Sequence, residues 1–403
     1  MNIPPSKIPI NSASYQTKFK PLLLEKSQNF VGRTFIFTFI NDFLHYYNRG
    51  YFTIVGTPGS GKSAILAKYA IANPDVLYYN AQIEGKSRAE EFLKDVCTQL
   101  IKRIANEGHE IEVPDNATEG SWFLSLLLQK ISDELKPNQK LIIAIDALDA
   151  IERHSQPPGS NLFYLPRYLP QGVYFLLTRR PFPKEKFGLL IETPSQIHDL
   201  AAYPEQTRQD VQAYIRQYLI SNPIEYLSLG LTQRQGDAET QRNLNDESFE
   251  GLDIAHHFVE SDKSHEEFIA HLIPESENNF MFLSQILPSI AEGFYSEPFQ
   301  RQPLPPGLQA YYQQHWQKMT SEGLSDVALK ILRVLTHLKN GECLSAQAIA
   351  QTINEDAYDI AEVLENWLEF LVLQRIDTKT HYSFYHSSFR NWLAQRLSSK
   401  EIE

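Results

Sequence analysis

Tyr51-Phe52-Thr53-Ile54-Val55 runs straight into Gly56-Thr57-Pro58-Gly59-Ser60-Gly61-Lys62-Ser63, and then into Ala64-Ile65-Leu66. The first five residues are β-branched or aromatic, the composition of a short buried strand. From Ser63 onward apolar residues return at helical spacing through Ile65, Leu66, Tyr69 and Ala70. The segment between them fits G-x-x-x-x-G-K-[ST] at every position. Gly56, Gly59 and Gly61 let the backbone turn tightly, so that the loop through Thr57, Pro58 and Ser60, and the helix start at Ala64, can wrap phosphate oxygens with N–H groups. Lys62 reaches the β- and γ-phosphates, and the Ser63 hydroxyl ligates Mg²⁺. A chance Gly-rich turn is the bland alternative. The strand before and the helix after argue against it.

Outward from this point the chain alternates strands and helices. Val76-Leu77-Tyr78-Tyr79 is a second strand candidate. Residues 88–104 form an amphipathic helix with Phe92, Leu93, Val96 and Leu100 on one face, and 122–135 form another, stopped by Pro137. Leu141-Ile142-Ile143-Ala144-Ile145 is an unbroken apolar run of the kind buried on both faces of a parallel sheet, and Val173-Tyr174-Phe175-Leu176-Leu177 repeats it. A parallel α/β sheet is expected over 28–200. Before it, 1–27 reads as a flexible lead-in, although 15–24 has apolar residues able to dock. Residues 29–47 show Phe35, Phe39, Phe43 and Tyr46 at helical spacing.

Asp146 closes the third strand. In phosphate-loop proteins a carboxylate there holds the Mg²⁺ shell; the plain alternative is a helix N-cap, and the two roles can coexist. Asp149 and Glu152 follow, and either one orients the attacking water or simply opens a solvated acidic turn. After the fourth strand come Thr178-Arg179-Arg180-Pro181, where Thr178 or Arg179 is placed to sense a γ-phosphate.

Past residue 207 the periodic segments are almost all helical. Residues 221–264 are polar and receive no assignment, and Pro303-Leu304-Pro305-Pro306-Gly307 reads as a linker. Residues 324–338 carry Val327, Ile331, Leu332, Leu335 and Leu338 on one helical face. Helices near 345–353 and 357–370 and a hairpin over 372–376 and 381–385 complete the order of a winged helix. The expected division is a nucleotide-binding domain over 28–200, a helical lid over 201–302 and a winged-helix domain over 303–403.

Composition excludes several classes. Over 403 residues, 37 Lys and Arg face 49 Asp and Glu, a net charge of -12, which repels nucleic acid and anionic membranes over most of the surface. Cys97 and Cys343 are the two cysteines, too few for a disulfide framework or a Cys-based zinc site. His256, His257, His265 and His271 lack metal-ligand spacing. The start has no signal-peptide pattern and no stretch is apolar enough to span a bilayer, so a cytoplasmic location is expected.

With these residues in view, the chain resembles the signal-transduction P-loop ATPases of the STAND class, nearest the NACHT branch. Phe30-Val31-Gly32-Arg33 is similar to that family's entry motif, which lies against adenine and ribose. Asp146-Ala147-Leu148-Asp149 resembles its Mg²⁺ strand, Leu177-Thr178-Arg179-Arg180-Pro181 its sensor strand, and Leu304-Pro305-Pro306-Gly307-Leu308 with Tyr311 and Trp316 its lead into the winged helix. Tyr385-His386-Ser387-Ser388-Phe389 with Trp392-Leu393 is similar to the motif whose histidine contacts the ADP β-phosphate in the closed state.

The resemblance implies an ATP/ADP switch with Mg²⁺. It implies Val31, Gly32, Arg33 and His386 as nucleotide contacts, and Lys62, Asp146, Asp149 and Arg179 in slow hydrolysis. It also implies self-association with ATP bound. Relatives carry Asp-Glu where this chain has Asp149-Ala150, which leaves Asp149 to orient water. Relatives also carry repeat arrays and effector domains that are not found here, so sensor and effector functions are expected from partners. Two rival readings are a DNA-associated AAA+ ATPase of initiator or loader type and a scaffold that holds ADP without turnover. The first needs a basic recognition helix; the helix after Asp356 instead carries Asp359, Glu362, Glu365 and Glu369.

Overall fold

The structure is a computed structural model that describes residues 19–83, 85–104, 114–181, 188–222, 265–291, 306–321, 323–339 and 342–398. The chain divides into two compact units, one of residues 1–203 with 324–403 and one of residues 204–323.

The first unit is built on a five-stranded parallel sheet. Its strands are β1 (Gly50–Val55), β2 (Leu77–Asn80), β3 (Leu141–Asp146), β4 (Val173–Arg179) and β5 (Ser195–Asp199). Their order across the sheet is β2-β3-β4-β1-β5, and every pairing is parallel. All residues of β1 and β4 are buried, so helices cover both faces. This is the α/β fold expected from the alternating strands and helices.

The helices are α1 (Lys20–Ser27), α2 (Thr34–Tyr46), α3 (Lys62–Ala72), α4 (Ala89–Ile104) and α5 (Trp122–Glu134). On α4, Phe92, Leu93, Val96 and Leu100 are fully packed, the stripe that its spacing predicts.

Two expectations need correction here, and one strand was not anticipated. The lead-in is not flexible throughout: α1 docks, with Phe19 and Leu23 buried and Phe19 packed edge-on against Tyr78 and Tyr79. Apolar burial outweighs the surrounding Lys and Pro residues. On α2 the buried stripe is Ile36, Ile40, Phe43 and Leu44, rather than Phe35, Phe39 and Tyr46. Phe35 and Phe39 turn toward Tyr203, and Tyr46 is 78% exposed. Strand β5 had no forecast.

The C-terminal part of this unit combines helices with a small antiparallel sheet. Helix α10 (Asp326–Thr336) is followed by β6 (Leu344–Ser345), α11 (Ala346–Ile353), α12 (Ala357–Asn366), β7 (Leu371–Ile376), β8 (Lys379–Phe384) and α13 (Ser387–Ser398). Ser325, Ser345 and Asp356 cap the three leading helices, each accepting a backbone N–H from the first turn. Ala328, Ile331, Leu332 and Leu335 of α10 are buried, while Val327 and Leu338 are half-buried. The strands pair antiparallel in the order β6-β8-β7.

The second unit is helical: α6 (Pro204–Ser221), α7 (265–276), α8 (Phe280–Ala291) and α9 (Pro306–Met319). Its core draws on Val211, Ile215, Leu219, Phe268, Leu272, Leu283, Leu287 and Tyr312. Pro306 and Gly307 open α9 rather than belonging to a linker, since proline is suited to a helix's first turn. The rest of that linker and residues 223–264 lie outside the described residues. No helix among the described residues is long and apolar enough to cross a membrane.

Candidate functional site

The carboxyl ends of β1, β3 and β4 and the start of α3 meet at one point. Gly59 and Gly61 adopt left-handed φ values of 76° and 89°, which a side chain would strain. At Gly56 an added Cβ would stand 2.5 Å from Ser60 Oγ and 3.3 Å from Leu200 Cδ1. Helix α3 begins at Lys62 without a side-chain cap, so its first N–H groups have no intrahelical acceptor. Lys62 Nζ folds back onto the Thr57 carbonyl at 2.8 Å and lies 3.5 Å from Ser60 Oγ. Burial pulls its amine down to about 8, against the opposing pull of Asp149, Asp146 and Asp199. A half-buried cation beside uncapped N–H groups is suited to an anion.

Asp146 is fully buried and is the hub of the site. Its Oδ1 accepts from Ser63 Oγ at 3.1 Å, from the Ala147 N–H at 3.0 Å and from Thr178 Oγ1. Its Oδ2 accepts from Tyr78 Oη at 3.0 Å and Asn80 Nδ2 at 3.1 Å. Ala147 takes a left-handed φ of 57°, a conformation that strains a residue carrying a Cβ. Its N–H also reaches Thr178 Oγ1 at 2.9 Å. Ser63 hydroxyl and Asp146 carboxylate form an oxygen pair of the kind a hard divalent cation takes. The donors fit Mg²⁺ with a phosphate ligand.

The second carboxylate differs. Asp149 Oδ1 accepts the Arg180 N–H at 2.9 Å, and its Oδ2 lies 3.2 Å from Arg180 Nε. Arg179 is buried, and its Nη1 donates to the Arg180 carbonyl at 2.9 Å. Burial lowers the Arg179 guanidinium, opposed by Asp149 and Asp199. Glu152 is tied elsewhere: Ser87 Oγ donates to its Oε1 at 2.5 Å and its N–H reaches the Ser87 carbonyl at 3.0 Å. Of the two acidic candidates, Asp149 is the one beside the loop.

At the entry segment, Val31 and Gly32 are half-buried and Arg33 is 2% exposed. Arg33 takes φ 57° as N-cap of α2, and its Nη2 donates to the Ser60 carbonyl at 2.7 Å. It therefore ties the entry segment to the phosphate loop. His386 is buried just ahead of α13, where its Nδ1 accepts the Ser388 N–H at 3.1 Å and pairs with Ser388 Oγ at 2.6 Å. That bond leaves the proton of a neutral ring on Nε2.

Sequence reasoning missed Tyr78, Asn80 and Asp199. Asn80 stands level with Asp146 across β2 and β3, and Asp199 level with Val55 across β5 and β1. A polar residue closing each strand was the available signal. Among the described residues, no group of three or more His, Cys, Asp or Glu side chains could hold a metal ion.

No protein-family model matches the chain, and no curated protein matches it. Among solved structures it is similar to Drosophila ORC bound to DNA, at 12% identity and a TM-score of 0.35, covering 95% of this chain and 98% of that one. It is also similar to two variants of Thermotoga maritima RuvB. One matches at 11% identity and a TM-score of 0.30, covering 90% of this chain and 95% of that one. The other matches at 9% identity and a TM-score of 0.28, covering 93% of this chain and 94% of that one. These likenesses are too loose to add weight; the P-loop fold stands on the sheet order and on the motif's placement between β1 and α3.

Proposed function

We propose that this chain is an ATP/ADP-dependent switch, a STAND-class ATPase core of NACHT-like type that is closed with ADP and opens to self-associate with ATP. The observation that carries this reading is that 324–403 and 1–203 form one compact unit although 204–323 lie between them in sequence. Burial pulls the Arg153 guanidinium down, and the Glu365 carboxylate of α12 pulls the other way. The charge on Glu365 therefore acts on Arg153 across the sequence gap. A module held against the nucleotide domain is what a closed switch requires.

When bound, Mg·ATP supplies an electrophilic γ-phosphorus and a divalent charge. Lys62 and the N–H groups opening α3 would hold the phosphate oxygens, Ser63 and Asp146 the cation, and Val31, Gly32 and Arg33 the nucleoside. Arg179 would face the γ-phosphate, with Thr178 holding the Asp146 carboxylate in place. Asp149 would orient water once it parts from Arg180, and that requirement makes hydrolysis slow. His386, with Nε2–H as donor, would contact the ADP β-phosphate. Taking such a switch from mostly closed to mostly open needs about 5.5 kcal/mol of differential affinity. A few charge-assisted phosphate contacts at roughly 1.5–3 kcal/mol each are sufficient.

Asp359 and Glu362 are exposed on α12, which disfavours docking to a nucleic-acid backbone. Activating and output proteins would then bind as partners. The test is the mass of the particle in solution with ADP and with a non-hydrolysable ATP analogue. An increase with the analogue alone supports the switch; identical masses in both contradict it.

A further inference from the structure

The two oxygens of Asp146 have different neighbours. Oδ1 faces Ser63, Thr178 and the Ala147 N–H, whereas Oδ2 is taken by Tyr78 and Asn80 from the adjacent strand. A carboxylate offers about four lone-pair sites, and donors engage both oxygens of this one, so the two on β2 help to fix its rotation. Both donors are themselves held. Asn80 Oδ1 accepts the Gln82 N–H at 2.8 Å, which fixes which way its amide points, and Asn80 Nδ2 lies 3.3 Å from Tyr78 Oη. The Tyr78 ring is packed edge-on by Phe19 at 5.6 Å. Tyr78 is 2% exposed and Asn80 3%. The phosphate-loop motif has no use for either side chain.

We infer that Tyr78 and Asn80 are positioning residues for Mg²⁺: by holding Oδ2 they fix the orientation of the Asp146 carboxylate beside the Ser63 hydroxyl. The inference rests on the reading of this loop as a Mg·nucleotide site. Neutral donors are suited to the task because they orient the carboxylate without cancelling its charge. Partners that orient a metal ligand are typically worth about 10–100-fold in metal affinity.

The experiment measures the Kd of a fluorescent ADP analogue for the full chain in excess Mg²⁺ and in EDTA. The ratio of the two constants is the contribution of Mg²⁺. Tyr78→Phe removes one oxygen and keeps the ring against Phe19; Asn80→Ala is the second variant, with melting temperature as the folding check. Both are expected to keep the EDTA Kd within about twofold of wild type while the Mg²⁺ ratio falls about 10-fold. An unchanged ratio in both variants, with wild type still responding to Mg²⁺, overturns the positioning role and leaves the nucleotide site standing. A wild type that binds no nucleotide, or binds it equally in Mg²⁺ and EDTA, overturns both.

Discussion

Asp146 and Asp149 lie three positions apart and occupy opposite kinds of surroundings. Around Asp146 stand neutral donors: two hydroxyls, a phenol, an amide and a backbone N–H. Around Asp149 the side-chain partner is a guanidinium, reinforced by a backbone N–H from the same Arg180. Neutral donors orient a carboxylate without cancelling its charge, which is left for a cation. An ion pair spends that charge internally, and the carboxylate acts on anything else only after the pair opens. On the proposed reading the end of β3 would be preset for a metal, while the turn after it would be held in reserve.

The strongest way to break this contrast is at the preset end. Asp146→Ala and Lys62→Met should each lower ATP hydrolysis roughly 100-fold or more, measured as phosphate release; undiminished turnover in Asp146→Ala would rule out its assignment to Mg²⁺. Lys62→Met should also melt higher than wild type without nucleotide. The sign follows from burial, which lowers the folded amine to about 8 from its ordinary 10.5. The unfolded chain then binds more protons between those values, so wild-type stability rises with pH across that window. The methionine variant should lack that rise in a melting series.

At the reserved end, Arg180→Ala removes the guanidinium from Asp149 and should raise hydrolysis about 10-fold, equivalent to roughly 1.4 kcal/mol. A fall instead would make Arg180 part of the catalytic geometry. The smallest change lies between the two carboxylates. Ala147 holds φ 57°, so Ala147→Gly should relieve strain and stabilise by about 0.5 kcal/mol, since the glycine's own entropy cost offsets most of the gain. A denaturant midpoint lower than wild type would contradict it.

The same contrast separates what the sequence announces from what it hides. An apolar run ending in Asp146 and a Gly-rich loop ending in Lys62 and Ser63 are local patterns, legible because fully buried parallel strands need unbroken apolar residues. Strand β5 has no such run: it is an edge, with Ser195 and Ile197 exposed, and its residues alternate with Gln196, His198 and Asp199. His198 is nonetheless packed between the rings of Phe39 and Phe52 at 4.7 and 4.8 Å. The partners of Asp146 on β2 were hidden for a different reason. Tyr78 and Asn80 meet it through strand register, a relation between segments distant in sequence. Helix α1 was obscured by its Lys and Pro content, although Phe19 and Leu23 supply its anchor. The Asp149–Arg180 pair falls in the same class, since neither motif containing them specifies the other.

A closed nucleotide switch, unlike a cycling motor or an empty fold, should retain its nucleotide through purification. Freshly purified chain, denatured and resolved by chromatography, reports the nucleotide it carries. The account predicts close to one ADP per chain, reduced in His386→Ala. An empty site that rapidly turns over added ATP, or ADP occupancy indifferent to His386→Ala, would contradict it.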